Sequence, residues 1–468
     1  MIWPSRALRF AGALAVWGLA PGVSLAGQAG SPDAALVYRQ FAARVVKIQS
    51  IEKRSGAKSA IGSGFFVSPD GDLVTNYHVV SELINLPERY RAELVDGAER
   101  VRPVEVVALD VVHDLAVLHV DPAGDPWFTL APVRPDRGTR LYSMGHPHDL
   151  GLSIVEGTFN GLLEHTLYPK IHFTGSLNPG MSGGPAVTAA GEVVGVNVST
   201  AGDQVSFLVP VERVIALVDE ARRPGYSRPD TLLRTVGEQL LRYQDEYLGR
   251  LFADSTHTVT LGGYVVPTEP APFFKCWGDA SHSRAQPYEA IEHQCSTDDY
   301  VFISGEQWSG VLTLRHTVLS TDELNRHRFY ALLTEQFAGD GFEFQSREVV
   351  TAPRCATGNV AHGALTLKTV YCTRRYRKLP GLYDVFFKAA TLGDPSSGLI
   401  TTLTLSGVTF ENARRVVERF LGSLGRADAT DVAGAPCSSR CSTGAPGCGS
   451  GCGCGPIPPA SAAATTTT

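Results

Sequence analysis

Between residues 44 and 210, short apolar runs recur every few positions, divided by Gly, Pro, Asn and Asp. Arg44-Val-Val-Lys-Ile-Gln, Gly64-Phe-Phe-Val, Leu73-Val-Thr, Val104-Glu-Val-Val-Ala-Leu, Leu115-Ala-Val-Leu-His-Val and Val193-Val-Gly-Val-Asn-Val are each of strand length. Ser68-Pro69-Asp70-Gly71 supplies turn chemistry between two of them. Many short strands punctuated this way predict an all-β sandwich or barrel. A short helix is expected before the first strand, opening at Ser31-Pro32-Asp33 with Pro at its first position.

The pattern changes after Arg222-Arg223-Pro224-Gly225, which marks a domain boundary. Leu232, Val236, Leu240, Tyr243, Tyr247 and Leu251 follow at spacings of three and four, the apolar face of a helix. Beyond them strand and helix patterns mix. Val301-Phe302-Ile303, Val311-Leu312-Thr313-Leu314 and the run from Leu399 to Leu405 read as strands. Ser320-Thr321-Asp322-Glu323 matches a capping box that would open a helix running to Ala338. Ala413, Val416, Phe420 and Leu424 form the face of a last helix. Residues 226–426 thus read as an α+β accessory domain. Residues 427–468 are rich in Ala, Gly, Ser, Thr and Pro with little to bury, a composition that predicts a disordered tail.

Composition narrows the class. The chain has 468 residues, 43% hydrophobic, enough for real cores. Its formal charge of -6 argues against a nucleic-acid footprint, which calls for a basic excess. The basic run Arg374-Arg375-Tyr376-Arg377-Lys378 reads as a solvated strand end. At the N-terminus, Arg6 and Arg9 precede the apolar run Phe10 to Ala20, and Val23-Ser24-Leu25-Ala26 offers a cleavage site. Residues 1–26 therefore read as a secretory signal peptide, with no membrane span after its removal and a periplasmic or secreted destination. Export favours disulfides. Cys276, Cys295, Cys355 and Cys372 allow three connectivities, of which 276–295 with 355–372 is the simplest. Cys437, Cys441, Cys448, Cys452 and Cys454 lie in the tail.

Three segments carry candidate chemistry. They are Gly62-Ser-Gly-Phe-Phe-Val through Thr75-Asn76-Tyr77-His78-Val79, then His113-Asp114-Leu-Ala-Val-Leu, and Asn178-Pro-Gly-Met-Ser182-Gly-Gly-Pro185. A serine hydroxyl attacks only if a base takes its proton and a third group fixes that base's tautomer. His78 suits the base and Asp114 the orienting anion, with Asp110 its rival. Glycines around Ser182 would let the N–H groups of Gly180 and Ser182 converge on a developing oxyanion. Such a set needs no metal and no cofactor; His146 and His148, with His165 and His172 beyond, read as loop residues rather than zinc ligands. The order His, Asp, Ser excludes the α/β-hydrolase arrangement, although Gly180-Met-Ser182-Gly183-Gly184 matches Gly-x-Ser-x-Gly literally.

Residues 40–215 resemble a trypsin-like serine protease domain of the HtrA/Deg type. Thr75-Asn76-Tyr77-His78-Val79, Asp114-Leu-Ala-Val-Leu and Asn178-Pro-Gly-Met-Ser182-Gly-Gly-Pro are similar to that family's three motifs. The resemblance implies a mostly β, chymotrypsin-like double β-barrel, with Ser182 as nucleophile, His78 as base and Asp114 as orienter. It places Ser176 on the floor of the first specificity pocket, which disfavours Lys/Arg; Val196, Val198 and Phe207 would add apolar walls. The family usually has Asn where Met181 stands, and no PDZ-like segment is recognisable after residue 225. The expected organisation is a protease domain at 27–225, a separate accessory domain at 226–426 and the tail. The expected activity is that of an exported serine endopeptidase cutting exposed or unfolded polypeptide, in envelope protein quality control. The alternative is a catalytically silent, protease-like binding or scaffold protein of the envelope. Neither reading fixes an oligomeric state.

Overall fold

The structure, a computed structural model, describes residues 34–427 apart from 122–123, 203, 227–230, 254–255, 282–285, 298 and 343–344. The expected signal peptide, the expected helix opening at 31–33 and the cysteine-bearing tail lie outside the described residues.

The architecture is mostly β. After helix α1 (Ala34–Phe41), seven antiparallel strands between Val45 and His119 make one open sheet. Helix α2 (Tyr77–Asn85) interrupts it, directly after the strand Asp72–Thr75. Six strands between Arg140 and Pro210 then close a barrel. Apolar side chains such as Leu141, Phe173, Met181, Val194 and Leu208 fill its interior. Helix α3 (Val211–Arg222) packs back on the first sheet and the barrel. A closed barrel beside an open half-barrel is the chymotrypsin-like arrangement.

The long apolar stripe at 232–251 forms helix α4 (Leu232–Ala253). Seven antiparallel strands make the main sheet of the second half. Their spatial order is Phe274–Ser281, Glu289–Thr297, Leu312–Ser320, Ser397–Val408, Tyr383–Leu392, Leu365–Arg375 and Arg354–His362. Disulfides Cys276–Cys295 and Cys355–Cys372 staple the two outermost strands to their neighbours at directly opposed positions. These are the exposed edges of the sheet, where pairing is otherwise weakest.

Helix α5 (Arg326–Ala338) begins five residues later than the capping-box pattern predicts. Thr321 Oγ1 does accept from the N–H groups of Glu323 and Leu324, but Ser320 still belongs to a strand. The helix is capped instead by Asn325, whose side chain accepts from His327 and Arg328. Helix α6 (Phe410–Gly422) is capped by Thr409. The basic run at 374–378 is a solvated strand end only in part: the strand ends at Arg375, and Arg375, Arg377 and Lys378 are exposed. Arg374 and Tyr376 are buried around Asp384, with Arg374 Nε 2.8 Å and Tyr376 Oη 2.7 Å from its carboxylate.

The change of pattern at residue 225 separates sheets but not cores. Residues 34–426 fall within one compact unit. A single apolar cluster runs from Ile48, Tyr77, Val80 and Ile84 through Leu240, Tyr247 and Leu251 of α4 to Leu379 and Leu403. Polar contacts reinforce it. Gln239 of α4 accepts from Val111 N (2.8 Å) and donates to Leu109 O (2.7 Å). Lys170 Nζ lies 2.5 Å from Asp299. Each large side chain taken from water contributes roughly 1.5–3 kcal/mol. Exposing several at once therefore rivals the whole net stability of a domain, roughly 5–15 kcal/mol. A chain ending at residue 225 is expected to lose cooperative thermal unfolding in calorimetry, whereas the full chain keeps it. A fragment melting as sharply and as high as the full chain would contradict the shared core.

Candidate active site

His78 sits at the second position of α2, a turn set by the preceding extended residue Asn76. Asn76 does not cap the helix with its own side chain; its Nδ2 instead donates to Asp114 O at 2.7 Å. The cap comes from across the sheet. Asp114 Oδ1 accepts from His78 N–H at 2.8 Å, and Oδ2 lies 2.6 Å from His78 Nδ1. One carboxylate thus holds the backbone and the ring of the same residue, at a helix N-terminus where negative charge is favoured. Asp114 reaches this position only in the left-handed region, at φ 55°. That conformation is uncommon outside glycine and is tolerated best by Asp and Asn. The Asn76 and Tyr77 donors to Asp114 O hold it there. Asp110, the rival carboxylate, holds His113 Nδ1 at 2.7 Å and caps its own turn.

Burial by itself would lower the His78 pKa, but the charge of Asp114 and the hydrogen bond to it outweigh that and hold it above the ordinary 6.5. The imidazole side chain keeps 29% of its surface exposed, so a second molecule can reach it.

The Ser182 loop is bound to this helix through a buried hub at Ser63. Ser63 N donates to Ser182 O (2.7 Å), Ser63 Oγ to Gly180 O (2.8 Å), and Thr75 Oγ1 to Ser63 O (2.7 Å). Asn197 grips the loop from the other side, with Gly183 N donating to its carbonyl and its Nδ2 donating to Met181 O. Two glycines are obligatory here. Gly180 (φ 98°) and Gly183 (φ 86°) would each put a Cβ within 2.3 Å of a backbone oxygen, that of His146 or Ser63. Among the described residues, the N–H groups of Gly180 and Ser182 donate to no protein acceptor, so both are available to a ligand oxygen. Ser182 Oγ has one partner, Val198 O, at a marginal 3.5 Å, and makes no hydrogen bond to the His78 ring. A contact of that length is easily exchanged when a substrate arrives, and catalytic hydrogen bonds commonly tighten only in the complex.

The other expected site residues are scattered. Ser176 is exposed on the loop before Ser182, and Val198 and Phe207 are half-buried. Val196 is fully buried in a core with Met144 and Val209, so it packs the barrel and lines no pocket wall. His148 and His165 are exposed, but His146 is buried, which with the nearby Lys47 charge pushes its pKa down to about 4. Sequence reasoning gave no role to Ser63 or Asn197, although Ser63 lies in a quoted motif segment and Asn197 in a run read as a strand. It also missed Phe302 of the second half, whose ring stands edge-on to His78 at a centroid distance of 6.0 Å.

An open sheet beside a closed barrel, with a carboxylate-held imidazole and a glycine-flanked serine, defines the class of trypsin-like peptidase domains. Residues 62–196 match the family described as "Trypsin-like peptidase domain". The chain is 33% identical over 181 residues to "Probable periplasmic serine endoprotease DegP-like" of Halomonas elongata, covering 36% of this chain and 37% of that protein. It is 30% identical over 298 residues to "Serine protease HTRA2, mitochondrial" of Bos taurus, covering 56% and 63%. The crystal structure of the serine endoprotease from Yersinia pestis matches at 25% identity and a TM-score of 0.36, covering 42% of this chain and 68% of that one. Residues 62–196 are a trypsin-like peptidase domain, and its sequence is similar to those of HtrA-type serine proteases. The chain spans between about a third and two thirds of the length of these two relatives.

The coupling of His78 to Asp114 predicts a measurable titration. By histidine NMR, assigned with His78→Gln, the His78 ring should titrate above 6.5. Asp114→Asn removes the charge that raises it and should bring the midpoint down. An unchanged midpoint in the variant would contradict the assignment of Asp114 as the orienting charge.

Proposed function

We propose that the protein is an exported serine endopeptidase that cuts exposed or unfolded polypeptide through an acyl-enzyme intermediate. The observation that carries this reading is the double grip of Asp114 on His78 beside a serine loop with two free amide donors. In this reading His78 Nε2 takes the Ser182 proton as Oγ attacks the scissile carbonyl. Asp114 holds the imidazole tautomer and stabilises the imidazolium. The Gly180 and Ser182 N–H groups receive the oxyanion, each such donor lowering the barrier by roughly 3–4 kcal/mol. The imidazolium then protonates the leaving amine, and water repeats the sequence on the acyl-enzyme. Ser176, Val198 and Phe207 are the remaining candidates for the first specificity pocket, which favours small or medium aliphatic side chains.

An envelope location, periplasmic or secreted, with a role in protein quality control, is supported by the naming of relatives as periplasmic endoproteases and by the disulfide-stapled second sheet. Among the described residues no helix is long and apolar enough to cross a membrane.

A fluorophosphonate probe should label the full-length protein and spare Ser182→Ala; equal labelling of both would refute Ser182 as nucleophile. Because only the neutral imidazole acts as base, kcat/KM should fall on acidification with a midpoint above 6.5, the direction in which His78 is shifted. A profile flat from pH 5 to 8 would remove His78 from the reaction.

A further inference from the structure

The main sheet of the second half has one face that is only partly covered. Phe386, Lys388 and Ala390 share that face with Thr404, Thr402 and Ile400, their direct cross-strand partners. Helix α5 packs on its Ala390–Ile400 end. The opposite face is covered by α4 and α6. What α5 leaves open is a cavity of about 680 Å³, within the range of ligand sites.

Its floor carries Thr402, Thr404 and Phe386, and its side wall is the hairpin formed by Val301–Ser304 and Gln307–Ser309, which contributes Phe302 and Trp308. The charged groups around it are ion-paired. Arg315 and Lys388 share Asp340, and Arg374 holds Asp384. A charged ligand group would lose its hydration there without gaining a counter-ion. Aromatic walls favour an apolar one. Gln345 lines the same cavity with a buried Oε1 that has no hydrogen-bond partner, an acceptor suited to the N–H of a peptide.

The hairpin joins this cavity to the candidate active site. Phe302 lines the cavity and also stands edge-on to the His78 ring. Its neighbour Ile303 accepts through its carbonyl from Tyr77 Oη (2.9 Å) and Asn85 Nδ2 (3.0 Å) of α2. Consecutive residues Tyr77 and His78 are thus clamped by consecutive residues Ile303 and Phe302. An extended polypeptide advances about 3.3–3.6 Å per residue, so two residues span roughly 7 Å. The His78 and Phe302 rings lie 6.0 Å apart, so Phe302 is a close neighbour of the base. Phe302 stands beside the base, so the part of a bound chain within its reach is the stretch next to the scissile bond.

We propose that this cavity is an extended substrate subsite. It takes a neutral apolar or aromatic side chain of the polypeptide being cut, one or two residues from the scissile bond, with Phe302 as the wall shared with His78. This rests on the serine endopeptidase reading. Phe302 and Trp308 are specificity residues; they take no part in proton transfer.

The test uses the full chain and fluorogenic peptide pools varied at two positions on each side of the cleaved bond. Within each variant the ratio of kcat/KM for Phe or Leu over Gly, Asp and Lys is read, so a general change in activity cancels. Wild type should prefer the apolar residue at one of the four positions by about tenfold or more, the scale of a well-filled apolar pocket. Phe302→Ala and Trp308→Ala should each collapse that ratio, and Phe302→Leu should retain most of it. Trp308 has no ring contact with His78, so its variant decides the matter if Phe302→Ala does not fold. Absence of any such preference, or its survival in Trp308→Ala, would overturn the subsite. So would stimulation of cleavage by an uncut apolar peptide, since the cavity would then be an effector site. Failure of the fluorophosphonate to label wild type would instead sink the endopeptidase reading, and the subsite with it.

Discussion

One carboxylate sets the geometry of the whole candidate site. Asp114 accepts from the backbone N–H and faces the ring Nδ1 of a single residue, His78. The backbone contact fixes where α2 begins, and the ring contact fixes which way the imidazole turns. Both depend on Asp114 standing in a left-handed conformation after His113. Strain of this kind costs on the order of 1–3 kcal/mol and persists only where surrounding contacts overdetermine it. Here those contacts are the Asn76 and Tyr77 donors to the Asp114 carbonyl, so the strand end and the helix start hold each other.

The second constraint is that α2 has no protease-only environment. Tyr77, one residue before the base, is fully buried, and its hydroxyl ends on the second half of the chain at Ile303. Lys378 reaches the end of the same helix at Asn85 O, 3.1 Å away. The shared core and these bonds make the accessory half part of the scaffold that positions the imidazole. The disulfides keep both edges of its sheet paired, so the hairpin is carried on a braced support.

What was legible in the sequence follows from burial. Runs such as Val45–Glu52 and Leu115–His119 are dense in apolar residues because both of their faces are covered, and they announce strands. The apolar stripe of α4 was equally plain. The edge strand Arg354–His362 is exposed along nearly its whole length, so neither alternation nor apolar density marks it, and only Cys355 hinted at a partner. His78, Asp114 and Ser182 were readable because each stands in a local motif. Ser63 and Asn197 were not, since a buried hydroxyl or amide declares its role only through partners far along the chain. Phe302 was beyond reach for the same reason: 224 positions separate it from His78, and nothing near it in sequence marks a catalytic neighbour. The basic run at 374–378 misled only at Arg374 and Tyr376, because Asp384, which neutralises Arg374 in the interior, comes from the next strand.

The most direct measurement is a crystal structure of the full chain with a peptide boronate, a tetrahedral mimic of the intermediate. The account predicts a bond from boron to Ser182 Oγ. One boronate oxygen should lie within about 3 Å of the Gly180 and Ser182 nitrogens, and His78 should still be held by Asp114 while facing the adduct. An adduct formed elsewhere, or one whose oxygens point away from both amides while His78 has left Asp114, would contradict it.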